Sequence, residues 1–154
     1  MSWLRRIERT RGGEFRLRLT RRERALLRSL AAELRARLDD DAGDPALRRL
    51  FPPAYEDAEA QNEYRRLTGD DLLAGRREAL RLLEDAPDRL DEPQLYMWLR
   101  GLNDLRLVLG TRLDVAEDTF DEGIDVTKPR GRDLAVYAYL SWLEEQAVEA
   151  LASA

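Results

Sequence analysis

The chain has 154 residues, of which 44% are hydrophobic and 37% charged, and a formal net charge of −5; this suits one domain with a single core and excludes a disordered tail. It contains no Cys and no His, which excludes disulfides, thiolate nucleophiles, imidazole bases and metal sites built on Cys or His. Carboxylates, Arg, Tyr, Ser and Thr remain for chemistry, and sites that bind Mg²⁺ or Ca²⁺ through oxygen ligands stay open.

No segment resembles a membrane span or a secretory signal. The longest run without a charged residue is Leu134–Leu143, ten residues, which is too short to cross a bilayer. The opening sequence MSWLRRIERTRGG places arginines where the apolar core of a signal would lie. We therefore expect a cytoplasmic protein with no membrane partner.

The first predicted element is a β-hairpin. Phe15, Leu17 and Leu19 alternate with arginines, which is the period of a half-buried strand, and Gly12-Gly13 before them is typical of a two-residue turn. Thr20 and Glu23 then form a capping box. Leucines at helical spacing follow and predict a helix over residues 21–38.

The rest of the chain is predicted to be helical. Prolines and acidic loops divide it into helices at about 45–51, 56–67, 68–85, 92–117 and 132–151. We predict a mainly α fold in a single domain, residues 1–154, with a hairpin at 1–19 and a bundle of about five helices at 20–152. Strand is expected only before Thr20.

The run MWLRGLNDLRLVLGTRL carries polar residues inside the most apolar helix. Leu99, Asn103, Arg106 and Gly110 share one stripe, and Asp104 and Arg112 lie beside it. Polar groups in such a place form either a buried network that fixes packing or a working site. We predict the network, with Arg106 and Asn103 largely buried and bonded between helices, and with another backbone close to Gly110.

A second candidate region is LRRLFPPAYEDAEAQNEYRRL. The aromatic corner at its start is interpreted either as a plug in the core or as an exposed docking point, and consists of Leu50, Phe51, Pro52, Pro53 and Tyr55. Four carboxylates follow, Glu56, Asp57, Glu59 and Glu63. A solvated helix face explains them more simply than a metal site does, because tight oxygen-ligated sites use loops or several helices.

The amino-terminal segment is basic. Residues 1–37 hold 12 Arg against 4 Glu, a net charge of +8, whereas residues 38–154 carry −13. Solvated charge is the simplest interpretation. Phosphate contact is the alternative, and its candidate residues are Arg16, Arg18, Arg21 and Arg22. No motif for reading bases is present.

Two blocks, DPALRRLFPPAY and GLNDLRLVLGTRL, resemble the signature blocks of an actinobacterial family labelled domain of unknown function 2017. Genes of this family tend to lie beside that of the Clp protease adaptor. The resemblance implies kinship with AosR-type oxidative-stress regulators, which act in transcription through an alternative sigma factor. It also marks Leu50 to Tyr55 and Asn103 to Leu113 as family-defining residues. Those regulators sense oxidants through cysteine pairs, which this chain lacks.

The sequence therefore predicts a non-enzymatic regulatory module without cofactor or metal. The resemblance implies that its partner is a protein, either a sigma factor or other transcription component, or the Clp adaptor system. A homodimer through the last helix is a further expectation, because that helix is apolar on more than one side. The alternatives are direct nucleic-acid binding through the arginines and a carboxylate hydrolase that uses Mg²⁺.

Overall fold

A computed structural model describes residues 5–40 and 74–153. In chain order these form strands β1 (Ile7–Arg9) and β2 (Phe15–Leu17), helix α1 (Arg21–Asp40), helix α2 (residues 74–85), strand β3 (Arg89–Leu90), helix α3 (Glu92–Arg112) and helix α4 (Pro129–Ala152). The mainly helical fold class with a small amino-terminal β element is confirmed. The helices predicted at 45–51 and 56–67 lie outside the described residues.

Strands β1 and β2 form the predicted hairpin, but the turn between its bonded residues Thr10 and Glu14 has three residues instead of two. The Thr10 N–H donates to the Glu14 carbonyl at 2.7 Å, and the Gly13 N–H donates to the Thr10 carbonyl at 3.2 Å. Gly13 has a left-handed backbone with φ 83°, as the last residue of such loops requires. The register pairs Ile7 with Leu17, Glu8 with Arg16, and Arg9 with Phe15.

The prediction that strand is confined to residues before Thr20 is wrong. Strand β3 pairs antiparallel with β2, with Leu90 opposite Phe15 and Arg89 opposite Arg16. Leu90 and Phe15 are both fully buried, so burial of the pair stabilises the third strand. Two residues are too few to show a period of two in the sequence, which is why this strand was missed.

Helix α1 begins as the capping box predicts. The Glu23 N–H donates to the Thr20 hydroxyl at 3.1 Å, and the Thr20 N–H donates to the Glu23 carboxylate at 3.0 Å. The helix continues to Asp40, two residues beyond the prediction. The bonds of the capping box therefore fix the start of helix α1 next to the hairpin.

The core lies where the sheet and the four helices meet. Every described strand and helix contributes a large, fully buried side chain to it. These side chains are Ile7, Phe15, Leu27, Leu80, Leu83, Leu90, Leu95, Trp98, Leu102, Leu140 and Leu143. Helix α3 supplies Leu95, Trp98 and Leu102 at helical spacing, which confirms the predicted stripe of the central helix.

The ends of α3 and α4 differ from the prediction. Helix α3 stops at Arg112 and not near Glu117, because Asp114 takes a left-handed backbone with φ 53°. Helix α4 begins at Pro129, which occupies its first turn, where proline is well tolerated. A loop of 16 residues, 113–128, joins the two helices.

Within the described residues, no helix combines the length and the apolar character needed to span a membrane.

Candidate functional site on helices α3 and α4

Helices α3 and α4 run antiparallel and are joined by an ion pair. The Arg106 guanidinium lies 3.2 Å from the Glu144 carboxylate of α4 and donates to Asn103 at 3.3 Å. The bond between helices that was predicted for Arg106 is present, although Arg106 is about one-third exposed and Asn103 is only partly buried. The expectation that both are largely buried is therefore corrected, because the pair lies at the edge of the helix contact.

The Arg106–Glu144 pair is incompletely bonded. Arg106 Nε and Glu144 Oε1 are buried and have no hydrogen-bond partner. Burial raises the pKa of the Glu144 carboxyl, and the charge of Arg106 opposes that rise. A buried carboxylate oxygen without a hydrogen-bond donor destabilises the folded state. A further donor to Glu144 would therefore stabilise this part of α4.

Asp104 is the charged residue that sequence reasoning underrated. It is only 4% exposed, and its carboxylate pairs with Arg76 of α2 at 2.5 Å. Burial raises the pKa of Asp104, and the hydrogen bond and charge of Arg76 oppose that rise. Asp104 lies at helical spacing between the buried residues Gly101 and Val108, and this spacing was the available signal for its burial.

Gly110 makes room for an aromatic ring and not for a backbone. A Cβ at Gly110 would lie 2.9 Å from the ring of Tyr137 on α4. The close backbone approach occurs at Gly101 instead, where a Cβ would lie 3.1 Å from the Ala79 carbonyl oxygen. The predicted role of Gly110 is thus corrected: it leaves room for the edge of the Tyr137 ring, and Phe120 stacks on that ring with centroids 6.0 Å apart.

The loop at 113–128 is acidic, exposed and anchored at both ends. Residues 114–127 contain no basic residue. The six carboxylates of the loop are all exposed, and they are Asp114, Glu117, Asp118, Asp121, Glu122 and Asp125. Arg130 donates to the Leu113 carbonyl at 2.7 Å, which holds the start of the loop against α4. Among the large hydrophobic side chains, Ile124 and Val126 of this loop are exposed, Val126 by 58%.

An open groove of about 380 Å³ lies at the other end of the helix pair. Tyr96, Leu99, Arg100 and Asn103 of α3 form one wall, and Glu144 and Val148 of α4 form the other. Tyr96 is 52% exposed and Val148 54%. The groove therefore joins an apolar surface to the incompletely bonded carboxylate of Glu144.

The basic amino-terminal residues do not form one free surface. Arg18 pairs with Glu8 at 3.1 Å, whereas Arg16, Arg21 and Arg22 are exposed. Two neighbouring arginines bond inward to the end of α2: Arg24 donates to the Ala86 carbonyl and Arg28 to the Glu84 carbonyl. Such donors satisfy carbonyl groups that have no partner within the helix.

The remaining candidates are placed as follows. Arg112 is exposed and lies 3.8 Å from Glu33 of α1. The aromatic corner Leu50 to Tyr55 and the carboxylates Glu56, Asp57, Glu59 and Glu63 lie outside the described residues. Among the residues that are described, no three acidic side chains group closely enough to hold a metal ion.

These residues define a mainly helical domain that carries a small sheet and centres on α3 and α4. The chain belongs to the family described as Domain of unknown function (DUF2017), whose model matches residues 4–151. It is similar to the protein named "Oxidative stress regulator AosR" of Mycobacterium bovis and of Mycobacterium tuberculosis, at 28% identity over 93% of this chain and 84% of each relative. No solved structure matches the chain. The family resemblance based on the two sequence blocks is confirmed.

Proposed function

We propose that this protein is a non-enzymatic regulatory module in a stress response and that it acts by binding another protein through the acidic loop at 113–128. The stress-linked role is supported by the name of the mycobacterial relatives. The partner we propose is a component of transcription such as a sigma factor, with the Clp adaptor system as the second candidate.

The observation that carries the proposal is the composition and placement of this loop. A connection of 16 residues without helix or strand is longer than packing of two helices requires, and such loops commonly serve binding. Exposed Ile124 and Val126 would supply the apolar contact. The surrounding carboxylates would favour a partner with a basic patch, both in rate of encounter and in orientation.

The loop is also held in shape before any partner arrives. Phe120 stacks on Tyr137, and Asp125 accepts bonds from the Thr127 N–H at 3.0 Å and from its hydroxyl at 2.5 Å. A Cβ at Gly131 would overlap the carbonyl oxygen of Asp125, so the last part of the loop packs closely on α4. A preformed loop loses less conformational entropy on binding.

The oxidant signal cannot reach this chain through its own thiols, because it has no cysteine and the reversible thiol oxidation chemistry needs one. We propose that the chain transmits a signal sensed elsewhere, through the presence or state of its partner. Nucleic-acid binding is supported less well, because Arg18 is ion-paired and the arginines at 24 and 28 bond to α2.

Capture from a lysate of the native host tests this proposal with a matched pair of variants. Val126→Lys places a cation in the loop, whereas Val148→Lys makes the same change at an equally exposed valine in the groove. We expect the wild type and Val148→Lys to retain a transcription component or a Clp adaptor component, and Val126→Lys to lose it. Equal retention by Val126→Lys, or a DNA shift at low salt without any retained protein, would contradict the proposal.

A further inference from the structure

We propose that Arg16 and Arg89, on the solvent face of the small sheet, bind a phosphorylated segment of another protein. The two residues lie directly opposite each other on β2 and β3. The Leu17 N–H donates to the Asp88 carbonyl at 2.8 Å, so the next pair along the ladder is a hydrogen-bonded one. Because hydrogen-bonded and non-hydrogen-bonded pairs alternate along an antiparallel ladder, Arg16 and Arg89 form a non-hydrogen-bonded pair. In such a pair the side chains lie closest, with Cβ atoms about 4.5–5.5 Å apart.

Both arginine side chains lie on the face of the sheet that is turned away from the core. Their neighbours Phe15, Leu17 and Leu90 are buried, whereas Arg16 and Arg89 are exposed, as the alternation of side chains along a strand requires. Two guanidinium groups therefore leave the same point of an open surface. Like charges directly opposite each other destabilise a sheet, so an anion bound between them would relieve a repulsion as well as accept new hydrogen bonds.

The acidic residues around this pair are bonded to other groups. Glu8 of β1 pairs with Arg18 at 3.1 Å, and Asp88 pairs with Arg24 at 3.0 Å. The Asp91 carboxylate accepts the backbone bond that caps helix α3. Within the part of the chain that the structure describes, neither arginine of the pair forms an ion pair or a side-chain hydrogen bond. The pair therefore has no counter-charge from its own chain there.

A phosphomonoester fits two adjoining guanidinium groups better than other common anions do. It carries a charge of about −1.5 to −2 at pH 7 and three acceptor oxygens, which suffices for bonds to both guanidinium groups. A carboxylate offers one charge and two oxygens, so it would neutralise only one arginine. A nucleic-acid backbone spreads single charges along its length and needs a row of cations. The next cation on this face of β2, Arg18, is paired with Glu8.

The openness of the surface favours a phosphoryl group carried by a protein. Exposed side chains on a sheet face can reach a phosphothreonine or phosphoserine of a partner, whose flanking residues would add contacts along the sheet. Free phosphate would contact the two side chains alone. Strand β3 precedes α3, and the acidic loop follows the 21 residues of that helix, about 30 Å away at 1.5 Å per residue. The site is therefore separate from the loop and does not compete with the proposed partner binding.

Binding of phosphothreonine peptides to the full chain tests the proposal. The probe is a library with a fixed phosphothreonine and randomised flanking residues, and the same library without phosphate is the control. We expect the immobilised chain to retain the phosphorylated library alone. The Kd of its tightest member should rise at least about tenfold, equivalent to ~1.4 kcal/mol, in Arg16→Gln and in Arg89→Gln. Arg22→Gln removes another exposed arginine, on α1, and should leave the Kd unchanged although it alters the net charge equally.

Thermal unfolding of the variants separates lost binding from lost folding. Arg16→Gln and Arg89→Gln each remove one member of a like-charge pair, so neither should lower the melting temperature. A lower melting temperature in both variants would contradict the repulsion on which the proposal depends.

Equal retention of the two libraries would overturn the proposal, as would a Kd that Arg89→Gln leaves unchanged. Inorganic phosphate that binds as tightly as the best peptide would overturn the assignment to a protein partner. Tighter binding of duplex DNA, weakened as much by Arg22→Gln as by Arg89→Gln, would assign these arginines to nucleic acid instead. Partner binding through the loop is tested by Val126→Lys, which leaves both arginines in place, so either proposal can fail while the other holds.

Discussion

Replacing Arg76 with methionine would remove the cation that pairs with the buried carboxylate of Asp104. Asp104 is 4% exposed, and removing one partner of a buried ion pair typically costs about 3–5 kcal/mol. The carboxyl can limit that loss by taking up a proton. From an ordinary pKa of 3.8, protonation costs about 4.4 kcal/mol at pH 7 and about 1.6 kcal/mol at pH 5, at 1.36 kcal/mol for each pH unit.

We therefore expect Arg76→Met to lower the free energy of unfolding by about 3–4 kcal/mol at pH 7 and by less than about 2 kcal/mol at pH 5. The sign follows from the pKa of Asp104: it lies above the ordinary value in the folded variant, so the folded state gains stability as the pH falls. Urea denaturation at the two pH values measures this. The double variant Arg76→Met, Asp104→Asn carries no buried charge at this site and should recover most of the loss at pH 7.

A loss below about 1 kcal/mol at pH 7 would refute the reasoning, because it would be typical of a solvated pair. A loss that is the same at both pH values would also refute it, since protonation of Asp104 would then play no part. A double variant as unstable as Arg76→Met alone would assign the whole loss to packing of the Arg76 side chain.

Three further predictions concern stability. Arg106→Met should lower the free energy of unfolding, measured with urea, by only about 1–2 kcal/mol, because the Arg106 guanidinium is about one-third exposed. A loss larger than that caused by Arg76→Met would contradict this. Tyr139→Phe removes a hydrogen bond to Glu23: burial acts to raise the pKa of Glu23, but bonds from Tyr139, the capping backbone and an arginine outweigh it and lower that pKa below 4.5. The variant should therefore lose about 1–2 kcal/mol at pH 7, and the loss should shrink as the pH falls below 4.5 through the lowered pKa of Glu23; a loss that thermal unfolding shows to be independent of pH would contradict this. Gly131→Ala should lower the free energy of unfolding by about 1–3 kcal/mol or more, because the new Cβ would overlap the Asp125 carbonyl. An unchanged melting temperature would contradict that packing.

The sequence predicts well what depends on neighbouring residues. The capping box at Thr20 and Glu23 formed as expected, and the leucine stripe of the central helix is buried, because spacing along one helix determines both. Helix ends were less predictable. Asp114 adopts a left-handed backbone, and the neighbouring sequence does not indicate that helix α3 ends there.

The sequence could not predict which residues of distant segments contact one another. Arg76 and Asp104 are 28 residues apart and meet only because α2 packs on α3 near Gly101. Arg106 was recognised as a cation in an apolar helix, but its partner Glu144 belongs to another helix. The groove likewise depends on how α3 and α4 pack, so no local pattern could predict it.

Site-specific photo-crosslinking in the native host tests the central claim most directly. A photoreactive residue at position 126 reports on the acidic loop, and one at position 148 reports on the groove. We predict that position 126 forms an adduct with a transcription component or a Clp adaptor component, whereas position 148, an equally exposed valine outside the loop, does not. Adducts at position 126 with nucleic acid alone, or no adduct there while Arg16 or Arg21 positions crosslink to DNA, would contradict the account.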